Sequence, residues 1–308
     1  METERTSEMK AQKETLIEES EIRSEPFYLP VGNEKKLFLA AFKRKLPLLL
    51  KGPTGCGKSR FVEHMAYRLK KTLTKISHDK EAGTVKADIQ DFSNNKGFLV
   101  TIPCHEDLTA NDLVGRFFLT LNEGAEWIDG PLTKAVRFGG VCYLDEIVEA
   151  LKDVAVLLHS LTDYRRILPL VKKGTVVTPP DEFMLIVSYN PGYQSVLKEL
   201  KPSTKQRFVA IDFDYPPEKI EIEVIKNESS CEEGLARSLV SAGRKIRSLK
   251  NQGLTEGVST RLLVYAASLI TEGVPKKDAI MSTLVSPITD DHQMKMSLID
   301  ICKGFELF

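Results

Sequence analysis

Charge of one sign is missing from this chain: Lys and Arg total 43, Asp and Glu total 43, and the formal net charge is zero. The basic excess that grips nucleic-acid phosphates is absent, and so is the acidic excess of a solvating chain. No nucleic-acid partner is therefore expected. Long apolar runs are missing too. The most apolar stretch near the front, Leu46 to Leu50, is far shorter than the ~20 residues that cross a bilayer. The opening METERTSEMKAQKETLIEES has neither the apolar core nor the cleavage pattern of a secretory leader. Cysteines are scattered and odd in number: Cys56, Cys104, Cys142, Cys231 and Cys302, with no CxxC pair. That pattern argues against a disulfide framework and a thiolate zinc site, and reduced thiols in the cytoplasm are the expectation.

What is present suits a globular protein of one large and one smaller domain: 308 residues, 42% of them hydrophobic. Residues 1–25 are charged and poor in large apolar groups, and are read as a flexible tail. Short apolar runs at 46–51, 97–103, 141–144, 183–189 and 208–213 alternate with helical patterns at 34–45, 61–69, 130–137 and 149–161. Strands that are apolar throughout and alternate with helices imply a parallel sheet covered on both faces, an α/β domain over 26–215. The polar stretch 71–96 is read as a surface insertion. After Pro216 and Pro217 strand signals stop, and amphipathic patterns at 235–249, 260–271 and 276–285 predict a helical domain over 216–308.

The chemistry is concentrated in a few places. Gly52, Pro53, Thr54, Gly55, Cys56, Gly57, Lys58 and Ser59 match the phosphate-loop pattern G-x-x-x-x-G-K-S/T, with Arg60 following. The match falls between a predicted strand and a predicted helix, where glycines let backbone N–H groups turn around phosphate oxygens at a helix N-terminus. Lys58 would reach the β- and γ-phosphates of ATP and Ser59 would take a Mg²⁺ position. The strand Val141 to Leu144 ends in Asp145 and Glu146. Asp145 would hold Mg²⁺ through its water shell, and Glu146 would act as base on the attacking water. Asn190 ends the next strand, where its amide could bond the water or the γ-phosphate, or simply form a turn before Pro191. Arg207 opens the last strand, Arg165 and Arg166 follow a helix, and Arg261 opens one. Cys104, His105, Glu106 and Asp107 are better read as a strand-to-helix turn than as a metal cluster, because neighbouring residues point in different directions.

Long runs carry a closer likeness: PVGNEKKLFLAAFKRKLPLLLKGPTGCGKSRFVEHMA, CHEDLTANDLVGRF, WIDGPLTKAVRFGGVCYLDEIVEA, LTDYRRILPL, IVSYNPGYQSVLKELKPSTKQRFVAIDFDYPP and EGVSTRLLVYAASLI. From about Pro30 to Asp290 the chain resembles the NorQ/NirQ/CbbQ branch of MoxR-type AAA+ ATPases, with the tail and residues 72–96 unlike that branch. The resemblance implies an AAA+ core with a five-stranded parallel sheet, a helical lid, and a hexameric ring with ATP between neighbouring subunits. It makes Asn190 the sensor-1 residue, Arg207 the arginine finger acting in trans with Arg165 and Arg166 as runners-up, and Arg261 the sensor-2 arginine. Val31 and Gly32 would lie near the adenine, and the stretch 117–129 would be a hairpin facing substrate or partner. Relatives of this branch activate client enzymes with a von Willebrand factor A domain partner, one set maturing nitric oxide reductase and another remodelling inhibited Rubisco. Nitric oxide reductase is the favoured client. An ATP-dependent switch with little turnover is a competing class. Glu146 separates the two, since a switch can dispense with the base.

Overall fold

The computed structural model describes residues 22, 24–80, 99–120, 124–150, 152–191, 200–250, 254 and 256–308. The tail expected over 1–25 falls almost wholly outside these residues, as does 81–96 of the expected insertion. Residues 71–80 of that insertion instead continue the helix that follows the phosphate loop. Among the described residues no helix is long and apolar enough to cross a membrane.

In chain order the first part runs α1 (Glu34–Lys43), β1 (Leu48–Lys51), α2 (Lys58–Lys80), β2 (Leu99–Pro103), α3 (Ala110–Val114), β3 (Gly115–Thr120) and β4 (Gly124–Asp129). It continues with α4 (Pro131–Phe138), β5 (Gly140–Asp145), α5 (Lys152–Thr162), β6 (Leu168–Leu170), β7 (Thr175–Val177), β8 (Phe183–Tyr189), α6 (Pro202–Lys205) and β9 (Val209–Asp212). Then come helices: α7 (Glu218–Ser229), α8 (Glu233–Arg247), α9 (Thr260–Thr271), α10 (Lys276–Ile280), a π-helical turn (Met281–Val285) and α11 (His292–Gly304). The chain divides into two compact units, one built on 34–51 and 61–211, the other on 27–33, 52–60 and 212–308.

The first unit is built around a five-stranded sheet in the order β2-β5-β8-β1-β9, whose pairs β2–β5, β5–β8 and β8–β1 are parallel. This is the expected α/β architecture. All seven residues of β8 are buried, as the unbroken apolar run Phe183 to Val187 requires of a central strand. One face of the sheet carries Leu49, Cys142, Leu144, Leu185 and Val187 into a core with Leu132 and Val136 of α4 and Leu158 and Leu161 of α5. Residues of the alternate set, among them Tyr143 and Ser188, point to the other face. β1 lies between β8 and β9, so the connections reverse direction there. Ligands of open α/β sheets bind beyond the carboxyl ends of strands at such a point.

Two hairpins interrupt this unit. β3 and β4 pair antiparallel, with Phe117 opposite Trp127 in an edge-to-face contact at 5.1 Å. This is the hairpin expected over 117–129, set between α3 and α4. A capping box holds the start of α3: Thr109 accepts from Asp112 N–H while the Asp112 carboxylate accepts from Thr109 N–H. β6 and β7 form the second hairpin, which was not expected. The second unit has its own core, in which Ile225, Leu239, Val240, Ile246, Leu263, Ile280 and Leu298 are fully buried.

Candidate nucleotide site

The phosphate loop leaves the end of β1, whose last residue, Lys51, pairs with Tyr189 of β8. α2 begins at Lys58, so Lys58 and Ser59 form its first turn, where backbone N–H groups lack helical partners. The Lys58 side chain is buried and donates from Nζ to the carbonyls of Gly52 at 2.7 Å and Pro53 at 2.9 Å, so its charge sits inside the loop. Gly55 and Gly57 have φ of +67° and +103°, values that side chains disfavour. Gly55 has a second constraint: a Cβ there would stand 2.7 Å from Cβ of Ser259, with Cβ of Arg261 at 3.3 Å. The loop apex therefore packs on the start of α9, whose N-cap Ser259 accepts from Leu262 N–H. Arg261 is exposed beside it. Arg60 pairs with Glu228 of α7 at 2.9 Å. Val31 and Gly32 belong to the same compact unit as the loop and are exposed.

Cys56 is buried within the loop, and burial above all pushes its thiol pKa up despite the nearby Lys58 charge. Little thiolate exists there at neutral pH, which disfavours a redox role. Tyr215 donates to the Thr54 carbonyl at 3.4 Å, and the Arg247 guanidinium stacks on its ring, 3.8 Å from the centroid. Arg247 in turn makes two bonds to Glu221, at 2.7 and 2.8 Å, and Glu221 also accepts from Thr260 at 2.6 Å. Sequence reasoning singled out neither Tyr215, Arg247 nor Glu221.

The acids stand at the other compact unit's sheet edge. Asp145 closes β5 and Glu146 follows in the left-handed conformation, φ 56° and ψ 50°. Asp145 Oδ1 accepts from Tyr143 Oη at 2.6 Å and from Ser188 Oγ. The Glu146 N–H donates to Ser188 Oγ at 3.1 Å. Asn190 lies two residues beyond Ser188, 8% exposed, at the same edge. The structure thus brings Asp145, Glu146 and Asn190 to the ends of two paired strands. Tyr143 and Ser188 are the site residues that sequence reading missed.

Arg207 lies near α5, with a long 3.5 Å bond from one guanidinium nitrogen to the His159 carbonyl and its Nε buried without a partner among the described residues. Burial lowers the pKa of His159, and the Arg207 and Lys201 charges lower it further. The other arginines are engaged elsewhere. Arg165 grips Asp163 at 2.6 Å, and Arg166 donates to the carbonyl of Phe183, the first residue of β8. Of the Cys104 to Asp107 run, only Cys104 points inward, its thiol pKa pushed by burial to about 12, while His105, Glu106 and Asp107 are exposed around a turn closed by Leu108 N–H to the His105 carbonyl.

Comparison with known proteins agrees with this architecture. The AAA domain model of the dynein-related subfamily matches residues 47–208, and the CbbQ/NirQ/NorQ C-terminal model matches residues 221–305. The chain is 50% identical over 277 residues to Protein CbbQ of Hydrogenophilus thermoluteolus, covering 90% of this chain and 94% of that one. It is 50% identical over 276 residues to Protein NorQ of Paracoccus denitrificans, covering 90% and 92%. It is 46% identical over 276 residues to the denitrification regulatory protein NirQ of Stutzerimonas stutzeri, covering 90% of each. With both units matched and the likeness running nearly end to end, the chain belongs to the CbbQ/NirQ/NorQ family of MoxR-type AAA+ ATPases and is an ATP hydrolase.

Proposed function

We propose that this ATPase couples hydrolysis of ATP to the chaperone-like activation of a client enzyme, acting as a hexameric ring with a von Willebrand factor A domain partner. The observation that carries the reading is the near full-length likeness to NorQ and NirQ, the latter named a denitrification regulator. Maturation of nitric oxide reductase is accordingly the favoured outcome. The equal identity to CbbQ favours a second reading, remodelling of Rubisco by the same motor.

The chain's residues divide the work. Gly52 to Ser59 cradle the phosphates and Lys58 neutralises them, while Val31 and Gly32 border the adenine. Ser59 and Asp145 would hold Mg²⁺, which supplies charge neutralisation for phosphoryl transfer when bound. The donor set suits that ion. Mg²⁺ keeps several waters and uses one or two carboxylates with substrate phosphates, and Asp145 offers such a carboxylate at the end of β5. Glu146 takes the proton of the attacking water and Asn190 orients it. Arg261 stands over the loop apex, and Arg207 serves the neighbouring subunit, where its charge offsets the negative charge that develops in transfer. The hairpin β3–β4 presents Phe117, Phe118 and Ile128 outward and is the surface offered to client or partner.

The test is reconstitution. Inactive nitric oxide reductase is incubated with the chain, a von Willebrand factor A domain protein and ATP, and nitric oxide turnover is followed. Activation by the wild type and not by Glu146→Gln is expected. Equal activation by both would remove hydrolysis from the mechanism, and a response of inhibited Rubisco alone would select the second client.

A further inference from the structure

At the end of β5 three polar groups meet where the sheet is otherwise apolar. Tyr143 is 1% exposed and Ser188 0%, so neither hydroxyl is there for solvation. Register explains the meeting. Tyr143 faces Ile186 and Leu144 faces Val187 in the parallel pair, so one step further along Asp145 stands beside Ser188. Tyr143 and Asp145, two apart on one strand, share a face.

Counting protons orders the network. Each hydroxyl has one hydrogen to give. Tyr143 gives its own to Asp145 Oδ1 at 2.6 Å, and Ser188 gives its own to the same oxygen. Ser188 Oγ then retains lone pairs for the Glu146 N–H at 3.1 Å. That N–H belongs to a residue at φ 56° and ψ 50°, a conformation disfavoured for any residue with a Cβ and kept only where the surroundings hold it. Ser188 is therefore bonded at once to the carboxylate of one acid and the backbone of the next, and it lies two residues before Asn190, which directly follows the same strand.

We infer that Ser188, supported by Tyr143, is a positioning residue for hydrolysis: one hydroxyl fixes the carboxylate of Asp145 and anchors the strained peptide that aims Glu146. The inference rests on the reading of Asp145 and Glu146 as the hydrolytic acids. The Tyr143 hydroxyl donates to Asp145 and lies 3.1 Å from Ser188 Oγ, whereas Ser188 bonds both the Asp145 carboxylate and the Glu146 N–H, so removal of the tyrosine hydroxyl should bear mainly on the metal side of the reaction.

The test uses the full-length chain as wild type, Glu146→Gln, Ser188→Ala, Ser188→Thr and Tyr143→Phe. It reads kcat, affinity for a fluorescent ATP analogue with and without Mg²⁺, and melting temperature. Ser188→Ala should lower kcat about tenfold to a hundredfold, the size of a lost hydrogen bond to a charged group. Its analogue affinity without Mg²⁺ should stay within about twofold of wild type, since loss confined to the reacting state lowers kcat and spares binding. Ser188→Thr, which keeps the hydroxyl, should recover most of the rate. Tyr143→Phe should cost less rate and raise the Mg²⁺ concentration needed for half-maximal activity. Wild-type kcat and Mg²⁺ dependence in both hydroxyl variants, beside an inactive Glu146→Gln, would overturn the inference and leave the site reading standing. Parallel losses of binding, stability and turnover in Ser188→Ala and Tyr143→Phe would reduce the hydroxyls to a structural role and also overturn it. Normal turnover in Glu146→Gln would instead remove the site reading itself.

Discussion

Gly55 and Gly57 sit in the same loop and do different jobs. A side chain at Gly57, φ +103°, would meet nothing within 4 Å, so alanine there costs only backbone strain of about 1–2 kcal/mol. A side chain at Gly55 faces the same strain and would also stand 2.7 Å from Cβ of Ser259. Either the loop or the start of α9, with Arg261, must then shift. Gly55→Ala should therefore weaken binding of a fluorescent ATP analogue more than Gly57→Ala, and the reverse order would contradict the packing. At this scale the loop was fully legible: a contiguous pattern between a strand and a helix carries its own geometry. Asp145 and Glu146 were legible for the same reason, as two acids ending an apolar run. Tyr143 and Ser188 were not. A tyrosine and a serine inside apolar strands acquire meaning only through cross-strand register, which links residues 43 apart in the chain.

Elements in the second unit are tied by one buried ion pair. Glu221 of α7 is fully buried and Arg247 of α8 is 11% exposed, and the pair also reaches Thr260 of α9 and the Val258 carbonyl. Removing one partner leaves an uncompensated buried charge, at a cost of roughly 3–5 kcal/mol. Arg247→Leu should lower stability by that amount in urea unfolding followed by circular dichroism, and a loss below about 1 kcal/mol would show the pair to be dispensable. α7 itself was not legible. Its apolar residues Ile220, Ile222, Val224 and Ile225 stand too close together to mark a helical stripe, and the helix buries the polar Glu221 and Ser229 along with Ile222 and Ile225. Tertiary pairing of Glu221 overrides the local pattern. β6 and β7 escaped notice because each is three residues long and β6 contains Pro169. α2 extends through Lys80, beyond its apolar stripe, so its polar second half read as an insertion.

For the molecule as a whole, the buried His64 and the half-buried His159 contribute to the acid limb of stability. Burial lowers the pKa of His64, opposed by its bond to the Pro26 carbonyl, and burial also lowers that of His159. The unfolded chain then binds more protons than the folded one between the depressed values and the ordinary 6.5, so stability should fall as pH drops below about 6.5. Urea midpoints should be lower at pH 5.5 than at 7.5, with a narrower gap in His64→Gln; equal midpoints in the wild type would contradict this. The sheet, the helical C-terminal region and the phosphate loop followed from pattern, whereas the roles of Arg207 and Arg261 rested on resemblance. An arginine at a strand or helix start has no local signature, and a residue that serves a neighbouring subunit has its meaning only in the assembly. That makes the assembly the place to test the account. ATP turnover per subunit should be measured against protein concentration for the wild type, Glu146→Gln and Arg207→Ala, with nucleotide binding measured alongside. The account predicts turnover that rises as subunits assemble and is lost in both variants while ATP still binds. Turnover independent of concentration, with Arg207→Ala as active as the wild type, would contradict it.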